Sequence, residues 1–261
     1  MLAQERKRLI LEILSKCKFV EIDDLSNKIG VSEMTIRRDL LKLEQAGLLT
    51  RTYRGAVSSP SLFTSQPSFD EKEVLNSLEK RAIGAAAARL IQEGETIGLG
   101  AGTTCYQVAR QLNPGLKITI VTNTVNIAME LTRYSNVQLI VTGGIQLLDS
   151  YALVEPFAVD IFQRIHINKL FLGATGVSLH PGITTQKLQE ASLYQVMANA
   201  AQEVIIVADH SKLNLVTLAP ILELERVTRL VTDPGSSPEY LDKIAQRGVD
   251  VIVSNMDFSG T

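Results

Sequence analysis

The sequence predicts an α/β protein in which a small helical N-terminal domain precedes a larger domain built on a doubly wound, mostly parallel sheet. Charge is the first observation: residues 1–57 carry 11 Lys plus Arg against 8 Asp plus Glu, whereas the remainder carries 15 against 20. The second is periodicity, which is helical at the start of the chain. Later, short Val/Ile/Leu runs alternate with helical segments, which is typical of parallel strands covered on both faces.

The composition fits a soluble globular protein and excludes several classes. The net charge of -2 rules out a chain that is basic throughout, but a basic head on an acidic body suggests a polyanion-binding module. Cys17 and Cys105 fit no metal-ligand spacing or disulfide framework, so we expect no metal and no cofactor, and we interpret Cys105 as a packing residue. No apolar run approaches 18 residues and no signal peptide begins the chain, so we expect a cytoplasmic protein without membrane contact.

The N-terminal domain is predicted to contain three helices and a two-stranded wing. The first helix is expected around 9–14, and the second at 23–29, where Gly30 ends it. The third is expected to begin at the N-cap Ser32 and to end at about Ala46, before Gly47. The wing is expected at 48–57.

The outward face of the third helix predicts DNA recognition. On a helical wheel Ile36 and Leu40 face the other helices, whereas hydroxyl and guanidinium side chains lie opposite, near the helix N-terminus. A recognition helix enters the major groove with such a face, and arginine bonds guanine in a bidentate manner. Asp39 is expected to orient an arginine rather than to touch DNA. The expected contacts are Ser32, Met34, Thr35, Arg37, Arg38 and Lys42 on the helix, and Arg51 and Arg54 on the wing. The alternative is an ordinary three-helix module with a solvated charged face.

These motifs resemble a known family. The pattern over 6–14, the string S-E-M-T-I-R-R-D-L at 32–40 and R-T-Y-R-G-A at 51–56 are similar to the winged helix-turn-helix of the DeoR family of bacterial transcriptional regulators. The similarity extends over nearly the whole chain. It implies a DNA-binding domain at 1–57, a Ser- and Pro-rich linker at 58–73 and a sensor domain at 74–257. One departure is Arg54, which stands where the family usually has the first of two glycines and adds a positive charge to the wing.

The larger domain is predicted to alternate helices with strands. Helices are expected at 70–92, 104–112, 124–133, 156–164, 188–200 and 237–247, and strands at 95–99, 117–122, 137–141, 168–173, 203–208, 227–232 and 249–253.

The run G-L-G-A-G-T-T at 98–104 has the composition of a phosphate-binding loop. It lacks the lysine of a P-loop, and Thr103 stands where a dinucleotide loop needs its third glycine. What remains is a turn made by Gly100 and Gly102 and two hydroxyls, of Thr103 and Thr104, that open a helix. Such a turn suits a phosphate monoester. The alternative is a strand-to-helix turn whose glycines serve only close packing.

Other predicted strand ends also carry small or polar residues. They are V-T-N-T at 121–124, V-T-G-G at 141–144, F-L-G-A-T-G at 171–176, G-I-T-T at 182–185 and A-D-H-S-K at 208–212. In an open parallel sheet these ends line one crevice, where ligands bind. Within it, Asn123 could hold a sugar hydroxyl, and Lys212 could meet a phosphate as a point charge.

The body resembles the DeoR C-terminal sensor domain, which is similar in fold to ribose-5-phosphate isomerase and the CoA transferases. The resemblance implies a phosphorylated sugar effector. Its expected contacts, with Gly100 forming the turn, are Gly100, Ala101, Gly102, Thr103, Thr104, Asn123, Gly143, Gly144, Gly173, Glu190 and Lys212. The isomerases use paired aspartates and a lysine after the strand that here reads F-L-G-A-T-G. Ala174 and Thr175 stand there, so the general base is missing and an enzyme is not expected.

Two departures from the family fall in this domain. Ser192, Tyr194 and Gln195 replace charged positions in the segment Q-E-A-S-L-Y-Q-V-M, and Glu155 stands where the family commonly has glycine. The leading hypothesis is a repressor that binds operator DNA as a homodimer or homotetramer and releases it when a sugar phosphate binds. One alternative is a sugar-phosphate isomerase-like enzyme with a DNA-binding head. Another is a constitutive regulator whose pocket has decayed.

Overall fold

The computed structural model describes residues 3–17, 19–45, 49–52, 54–57, 67–147 and 149–256. The chain divides into two compact units, Met1–Leu75 and Asn76–Thr261.

The first unit combines three helices with a small antiparallel sheet. Its elements are α1 (Ala3–Cys17), β1 (Phe19–Glu21), α2 (Ile22–Ile29), α3 (Glu33–Gln45), β2 (Thr50–Arg51) and β3 (Gly55–Val57). The sheet has the order β1-β3-β2. The three predicted helices and the two wing strands are confirmed, whereas the predicted stop at Ala46 and Gly47 lies outside the described residues. Strand β1 was not expected, since three residues give too short a pattern to recognise.

A compact apolar core fixes this unit. Ile10, Leu25, Ile36 and Leu40 are all fully buried and come from all three helices, so each helix turns one apolar stripe inward. Gly55 is needed where β3 meets β1, because a Cβ there would lie 1.8 Å from the carbonyl oxygen of Val20.

Two helices replace the single one predicted over 70–92. They are α4 (Phe69–Val74) and α5 (Ser77–Ala88), and the chain leaves the helical conformation at Leu75 and Asn76 (φ +50) between them. Ser68 and Glu71 form a capping box at the start of α4, with Ser68 Oγ accepting from the N–H of Glu71 at 3.3 Å. The predicted linker at 58–73 therefore ends in a helix, and its residues 58–66 lie outside the described ones.

The second unit is built on a seven-stranded parallel sheet. Its strands and helices in chain order are β4 (Thr96–Leu99), α6 (Thr103–Arg110), β5 (Ile118–Thr122), α7 (Val125–Leu131), β6 (Val137–Val141), β7 (Ile145–Gln146), β8 (Leu153–Val154), β9 (Ile167–Gly173), β10 (Gly176–Val177), β11 (Ile183–Thr185), α8 (Leu188–Asn199), β12 (Ala201–Val207), β13 (Ala219–Leu222), β14 (Arg229–Thr232), α9 (Pro238–Ala245) and β15 (Asp250–Val253). The large sheet has the order β15-β14-β12-β9-β4-β5-β6. The seven strands predicted for this domain are confirmed, as are the helices expected near α6, α7, α8 and α9.

The helix predicted at 156–164 is wrong. The segment holds only a 3-10 turn, Asp160–Gln163, whose N-terminal neighbours run through Pro156 in irregular structure. Ala158, in the turn before it, and Phe162, within it, are both buried, so the two apolar positions pack inward without a continuous helix. The short antiparallel pieces, β7 with β8 and β10-β11-β13, were not predicted, because strands of two to four residues show too little alternation.

The strand order places a crevice at the centre of the sheet. Strands β5 and β6 follow β4 to one side, whereas β9, β12, β14 and β15 follow to the other. The order thus reverses between β4 and β9, and ligands bind outside the carboxyl ends of strands at such a point. Side chains alternate between the two faces, with Phe171 and Ile205 in one apolar cluster and Leu170 and Ile206 in the other.

Candidate DNA-binding surface and effector site

The recognition helix begins as the sequence predicts. Ser32 Oγ accepts a hydrogen bond from the backbone N–H of Thr35 at 3.4 Å and lies 2.9 Å from Thr35 Oγ1. This cap leaves other N–H groups of the first turn of α3 facing outward, where an exposed helix N-terminus favours an anion such as a DNA phosphate.

The outward face of α3 carries cations in two different states. Arg37 lies 3.3 Å from Glu33, four residues earlier on the same helix. Arg38 and Lys42 are exposed, and within the described ranges neither has an acidic partner. Met34 lies on the same side and is 71% exposed. The charges of Arg38 and Lys42 are therefore available to a polyanion, whereas the charge of Arg37 is partly neutralised by Glu33.

Asp39 links α3 to α1 on the buried side of the helix. Arg6 Nε on α1 donates to Asp39 Oδ2 at 2.5 Å, and Asp39 is buried. The expectation that Asp39 orients an arginine is thus met by Arg6, on a different helix. The pair ties α3 to α1 and leaves Arg38 free of the neighbouring carboxylate.

The wing supplies one paired and one free arginine. Arg51 Nε lies 3.0 Å from Glu44 Oε2, and the Arg51 N–H donates to Glu44 Oε1 at 2.9 Å. The Arg54 side chain is exposed and has no acidic partner among the residues that the structure describes, while its carbonyl accepts from the N–H of Ile22. The positive charge that Arg54 adds to the wing is therefore directed at solvent.

The loop after β4 forms the centre of the crevice. Gly100 donates its N–H to the carbonyl of Phe171 at 3.0 Å, and Gly102 (φ +124) precedes α6 without a side-chain cap. The first N–H groups of a helix have no partner within it, so an external anion can satisfy them. Thr103 and Thr104, which begin α6, are each 7% exposed.

The glycines predicted to contact the effector fall into two groups, according to whether a Cβ atom added at each would meet another part of the protein. At Gly100 it would lie 2.6 Å from a Leu172 methyl, at Gly144 2.4 Å from the carbonyl oxygen of Val154, and at Gly173 3.3 Å from that of Ala101. Close packing is enough to explain these three. At Gly102 and Gly143 a Cβ would meet no atom within 4 Å, so open space adjoins only these two loops of the set.

Glu190 is already engaged by the protein. Its carboxylate accepts from Ser150 Oγ at 2.9 Å and from Thr185 Oγ1 at 3.2 Å, and Lys187 Nζ lies 3.6 Å away. Lys187 also pairs with Asp149. These contacts connect the segment before β8 to the start of α8, so Glu190 performs a structural task in this conformation.

Tyr194 supports the loop after β4 and was not predicted to do so. Burial raises the pKa of Tyr194 well above its usual value, the neighbouring Glu190 and Cys105 raise it further, and a hydrogen bond from the backbone of Ala101 opposes them. The neutral phenol of Tyr194, a departure from the family pattern, thus holds Ala101. Cys105 is fully buried, and this burial raises the pKa of its thiol to about 12, which agrees with a packing role.

A buried acid accompanies Lys212. Asp209 is 1% exposed and accepts from Asn76 Nδ2 at 2.9 Å and from the N–H of Ser211 at 3.0 Å. Burial alone raises the pKa of Asp209, but Lys212, Ser211, Lys80 and Asn76 together lower it below the usual value. The site therefore holds an ionised carboxylate between two lysines, one of which, Lys80, was not considered from the sequence.

A second buried acid, Asp233, follows β14. Its Oδ1 accepts from the His210 N–H at 2.7 Å, and its Oδ2 lies 2.9 Å from His210 Nδ1 and accepts from the Gly235 N–H at 2.9 Å. After β9 stand Ala174 and Thr175, as the sequence shows, with no carboxylate. The acids at this sheet edge are therefore committed to internal hydrogen bonds.

Neither a metal-binding cluster nor a membrane-spanning helix occurs in the described ranges. No group of three His, Cys, Asp or Glu side chains there could hold a metal ion. No helix there is long and apolar enough to cross a membrane.

A winged helix with free cations on its recognition helix, followed by a parallel-sheet domain with an anion-type loop at its switch point, defines a DNA-binding transcriptional regulator with a sensor domain. The chain belongs to the DeoR family. The DeoR-like helix-turn-helix domain matches residues 6–61, and the DeoR C terminal sensor domain matches residues 75–234. The family resemblance seen in the sequence is thereby confirmed.

Relatives that span nearly the whole chain carry regulator names. An aga operon transcriptional repressor of Escherichia coli O157:H7 is 34% identical over 95% of this chain and 93% of its own. The regulator YulB of Bacillus subtilis is 36% identical over 96% of each chain, and GlpR of Haloferax volcanii is 36% identical over 97% and 98%. These relatives bear out the expectation of a regulator and not an enzyme. Ribose 5-phosphate isomerase A of Methanocaldococcus jannaschii aligns at 19% identity over 53% of this chain and 55% of its own, with a TM-score of 0.40.

Proposed function

We propose that this regulator binds operator DNA through α3 and the wing and releases it when a phosphorylated sugar enters the crevice at the β4 and β9 strand ends. The sense of regulation is repression, since two relatives, the aga operon protein and GlcR of Bacillus subtilis, are named as repressors. The site of action is the cytoplasm.

The observation that carries the DNA-binding role is the state of the cations on α3. Arg38 and Lys42 are exposed without an acidic partner in the described ranges, on a helix capped by Ser32 and held by the Arg6–Asp39 pair. In a helix-turn-helix such residues reach base edges and phosphates. Of the other proposed contacts, Met34 and Thr35 share this face, Arg37 and Arg51 would first leave Glu33 and Glu44, and Arg54 approaches from the wing.

The effector role rests on the α6 start. Gly102 leaves open space beside the uncapped first turn of the helix, where Thr103 and Thr104 carry hydroxyls. Lys212 supplies a positive charge from the end of β12, and Asn123 and Gly143 follow the two strands on the other side of β4. Ala101, Gly100, Gly144 and Gly173 shape the loops, and Glu190 holds the segment before β8 in place.

A homodimer or homotetramer is proposed as the active form. A helix-turn-helix reads one half-site, and a symmetric pair reads two half-sites about one helical turn apart. Effector binding must then favour one arrangement of the DNA-binding units, because a ligand shifts an equilibrium only by its differential affinity.

The experiment combines DNA release with thermal unfolding. An operator is first selected from random DNA with the purified protein, and a panel of pentose and hexose phosphates is then tested for release of that DNA. An active effector at about 100 times its Kd should also stabilise the fold by roughly 2.7 kcal/mol.

Thr103→Val and Thr104→Val are the matched variants, since valine keeps the side-chain shape and removes the hydroxyl. We expect normal operator affinity and a lost effector response. Loss of DNA binding by folded variants would contradict the separation of the two functions. Absence of any stabilisation by the panel would contradict the sensing role.

A further inference from the structure

The start of α5 contains a capping sequence that the helix does not use. Residues 76–79 read N-S-L-E, and an Asn, Asp, Ser or Thr followed three residues later by Glu is the pattern of a capping box. Just upstream, Ser68 and Glu71 form such a box at the start of α4. Asn76 occupies the same position relative to α5, yet its side chain makes no cap hydrogen bond. The sequence therefore encodes a contact at this helix start that the structure leaves unmade.

The side chain of Asn76 is bonded to Asp209 instead. Its Nδ2 donates to Asp209 Oδ1 at 2.9 Å, and its backbone is left-handed, with φ +50 and ψ +40. A capping residue normally has an extended backbone. Asparagine suits both arrangements, because it tolerates the left-handed region and is a favoured N-cap. Bonding to Asp209 and capping α5 therefore require two different backbone conformations of the same residue.

Asp209 connects Asn76 to the proposed phosphate site. Its Oδ1 accepts from Asn76, from the Ser211 N–H at 3.0 Å and from the Ser211 hydroxyl, so three donors meet at one oxygen. The positive charges of Lys212 and Lys80 stabilise this buried carboxylate. A phosphate that pairs with Lys212 competes for that cation and places negative charge beside Asp209, which like charges disfavour. A carboxylate that turns in response carries Oδ1 away from Asn76.

Asn76 also stands where the two units of the chain join. The first unit ends at Leu75, and the second begins at Asn76. The backbone torsions of Asn76 set the direction of the chain that precedes it, so a change from the left-handed to the extended region redirects the segment that leads to α4. A side chain with two partners and two backbone conformations at this position is an element whose equilibrium a ligand can bias.

We propose that Asn76 is the switch residue of this regulator: bonded to Asp209 it maintains the DNA-binding conformation, and released by a phosphate at Lys212 it caps α5 and ends that conformation. This inference rests on the proposed function, in which the phosphate meets Lys212 and DNA is released. The arrangement that the phosphate disrupts is therefore the DNA-binding one. Occupancy of the sensor domain then reaches the DNA-binding domain through one side chain and one pair of backbone torsions.

Asn76→Asp tests the switch in the full chain without any ligand. Aspartate caps helices as well as asparagine does, and at this position it places a second carboxylate beside Asp209. We expect the variant to favour the capped state. Its affinity for the selected operator, measured by fluorescence anisotropy, should fall by about 5- to 150-fold, which is the usual range of allosteric coupling.

Hydrogen exchange separates the switch from simple destabilisation. In the capped state the N–H of Leu78 or Glu79 acquires a partner, so it should exchange more slowly in Asn76→Asp than in the wild-type protein. A damaged fold would make both groups exchange faster. The matched control is Asn214→Asp, since Asn214 is exposed and has the same left-handed backbone (φ +57). This control should leave operator affinity and the exchange of α5 unchanged.

Asn76→Gly removes both arrangements of the side chain. Glycine adopts the left-handed backbone without steric conflict but has no amide. The variant should still bind the operator, whereas the pentose and hexose phosphates that release the wild-type protein should no longer act on it. The ratio of its operator Kd values with and without these compounds should be about 1. This measurement decides the matter even where Asn76→Asp does not fold.

The outcomes distinguish the switch from the proposed function. If Asn76→Asp binds the operator as tightly as the wild-type protein, or if Asn76→Gly is released normally, the switch is refuted while phosphate sensing stands. If Asn76→Asp binds the operator weakly and α5 exchanges faster at its start, Asn76 is a structural residue and the switch is refuted likewise. If no compound of the panel releases DNA from the wild-type protein, the proposed function fails and the route from Lys212 fails with it.

Discussion

Replacing Arg38 by alanine should change which DNA sequence the protein prefers while leaving its fold intact. The side chain is exposed, and its removal breaks no hydrogen bond or ion pair with the residues that the structure describes. Surface changes of this kind alter stability by no more than about 0.5 kcal/mol. A bidentate contact to guanine contributes roughly 1–3 kcal/mol of discrimination. We therefore expect affinity for the selected operator to fall by about 5- to 150-fold.

Two neighbouring cations provide the matched controls. Arg37 lies 3.3 Å from the exposed Glu33, so Arg37→Ala removes a partly neutralised charge and should have the smaller effect. Lys42, one turn further from the helix N-terminus, is expected to meet a phosphate. Lys42→Ala should weaken all DNA sequences alike and lower the steepness of the salt dependence by about 0.9.

The assay is fluorescence anisotropy with the selected operator and its single base-pair variants at several salt concentrations. Arg38→Ala should flatten the preference at one position and preserve it elsewhere. If Arg38→Ala retains the wild-type ranking of all operator variants, α3 does not read bases through this residue. A uniform loss with a reduced salt slope would instead make Arg38 a phosphate contact.

Three further predictions concern the sensor domain. Gly144→Ala should lower the free energy of unfolding by at least about 3 kcal/mol, because φ is +130 and the new Cβ would lie 2.4 Å from a backbone carbonyl oxygen. Gly143→Ala meets only left-handed backbone strain and should lower it by about 1–2 kcal/mol. Urea unfolding of the two variants measures this difference. In a Cys17→Ser background, Cys105, whose pKa is about 12, should react with a thiol reagent at pH 8 only as fast as the protein unfolds, and fast labelling of the folded protein would be contrary to this. Asp209→Asn should lower the free energy of unfolding by about 1.5–3 kcal/mol at pH 6. Because the folded-state pKa of Asp209 is lowered, the stability that the carboxylate contributes is present above its unfolded pKa of about 4 and should shrink as the pH falls further. A difference between the two proteins that stays constant down to pH 2 would contradict the assignment.

The sequence was sufficient for the framework of both domains, because its periodicities are long and regular. The buried stripe of α2 repeats at Ile22, Leu25 and Ile29, and Gly30 (φ +73) ends that helix as expected. The strands of the large sheet are nearly continuous apolar runs, which parallel strands buried on both faces require. Such patterns depend on neighbouring residues alone and are visible without tertiary contacts.

Other elements depend on contacts that are distant in sequence. Strand β1 exists because Val20 pairs with Ala56, and Thr184 in β11 pairs with Gly176 and Pro220. The interruption between α4 and α5 depends on Asn76, whose amide bonds to Asp209 across 133 positions. A window of ten or fifteen residues contains none of this information.

In the candidate site, too, some features follow from the local sequence and others depend on tertiary contacts. Its loops could be located, since small and polar residues follow apolar runs. Which glycine serves packing and which adjoins open space could not be known, because Gly100 meets Leu172 and Gly144 meets Val154 only in the folded chain.

The hydrogen-bond state of the crevice itself argues for sensing and against turnover. A general base must be able to approach a substrate proton, yet Asp209, Asp233 and Glu190 each accept two or more hydrogen bonds from the protein. Among the described residues, the buried polar atoms without a partner are Asn123 Oδ1, both amide atoms of Asn126 and Ser254 Oγ, and none of these groups can take a proton from a substrate at neutral pH. Since proton transfer needs a free base and reversible binding needs only free donors and acceptors, this distribution favours a site that binds its ligand and returns it unchanged.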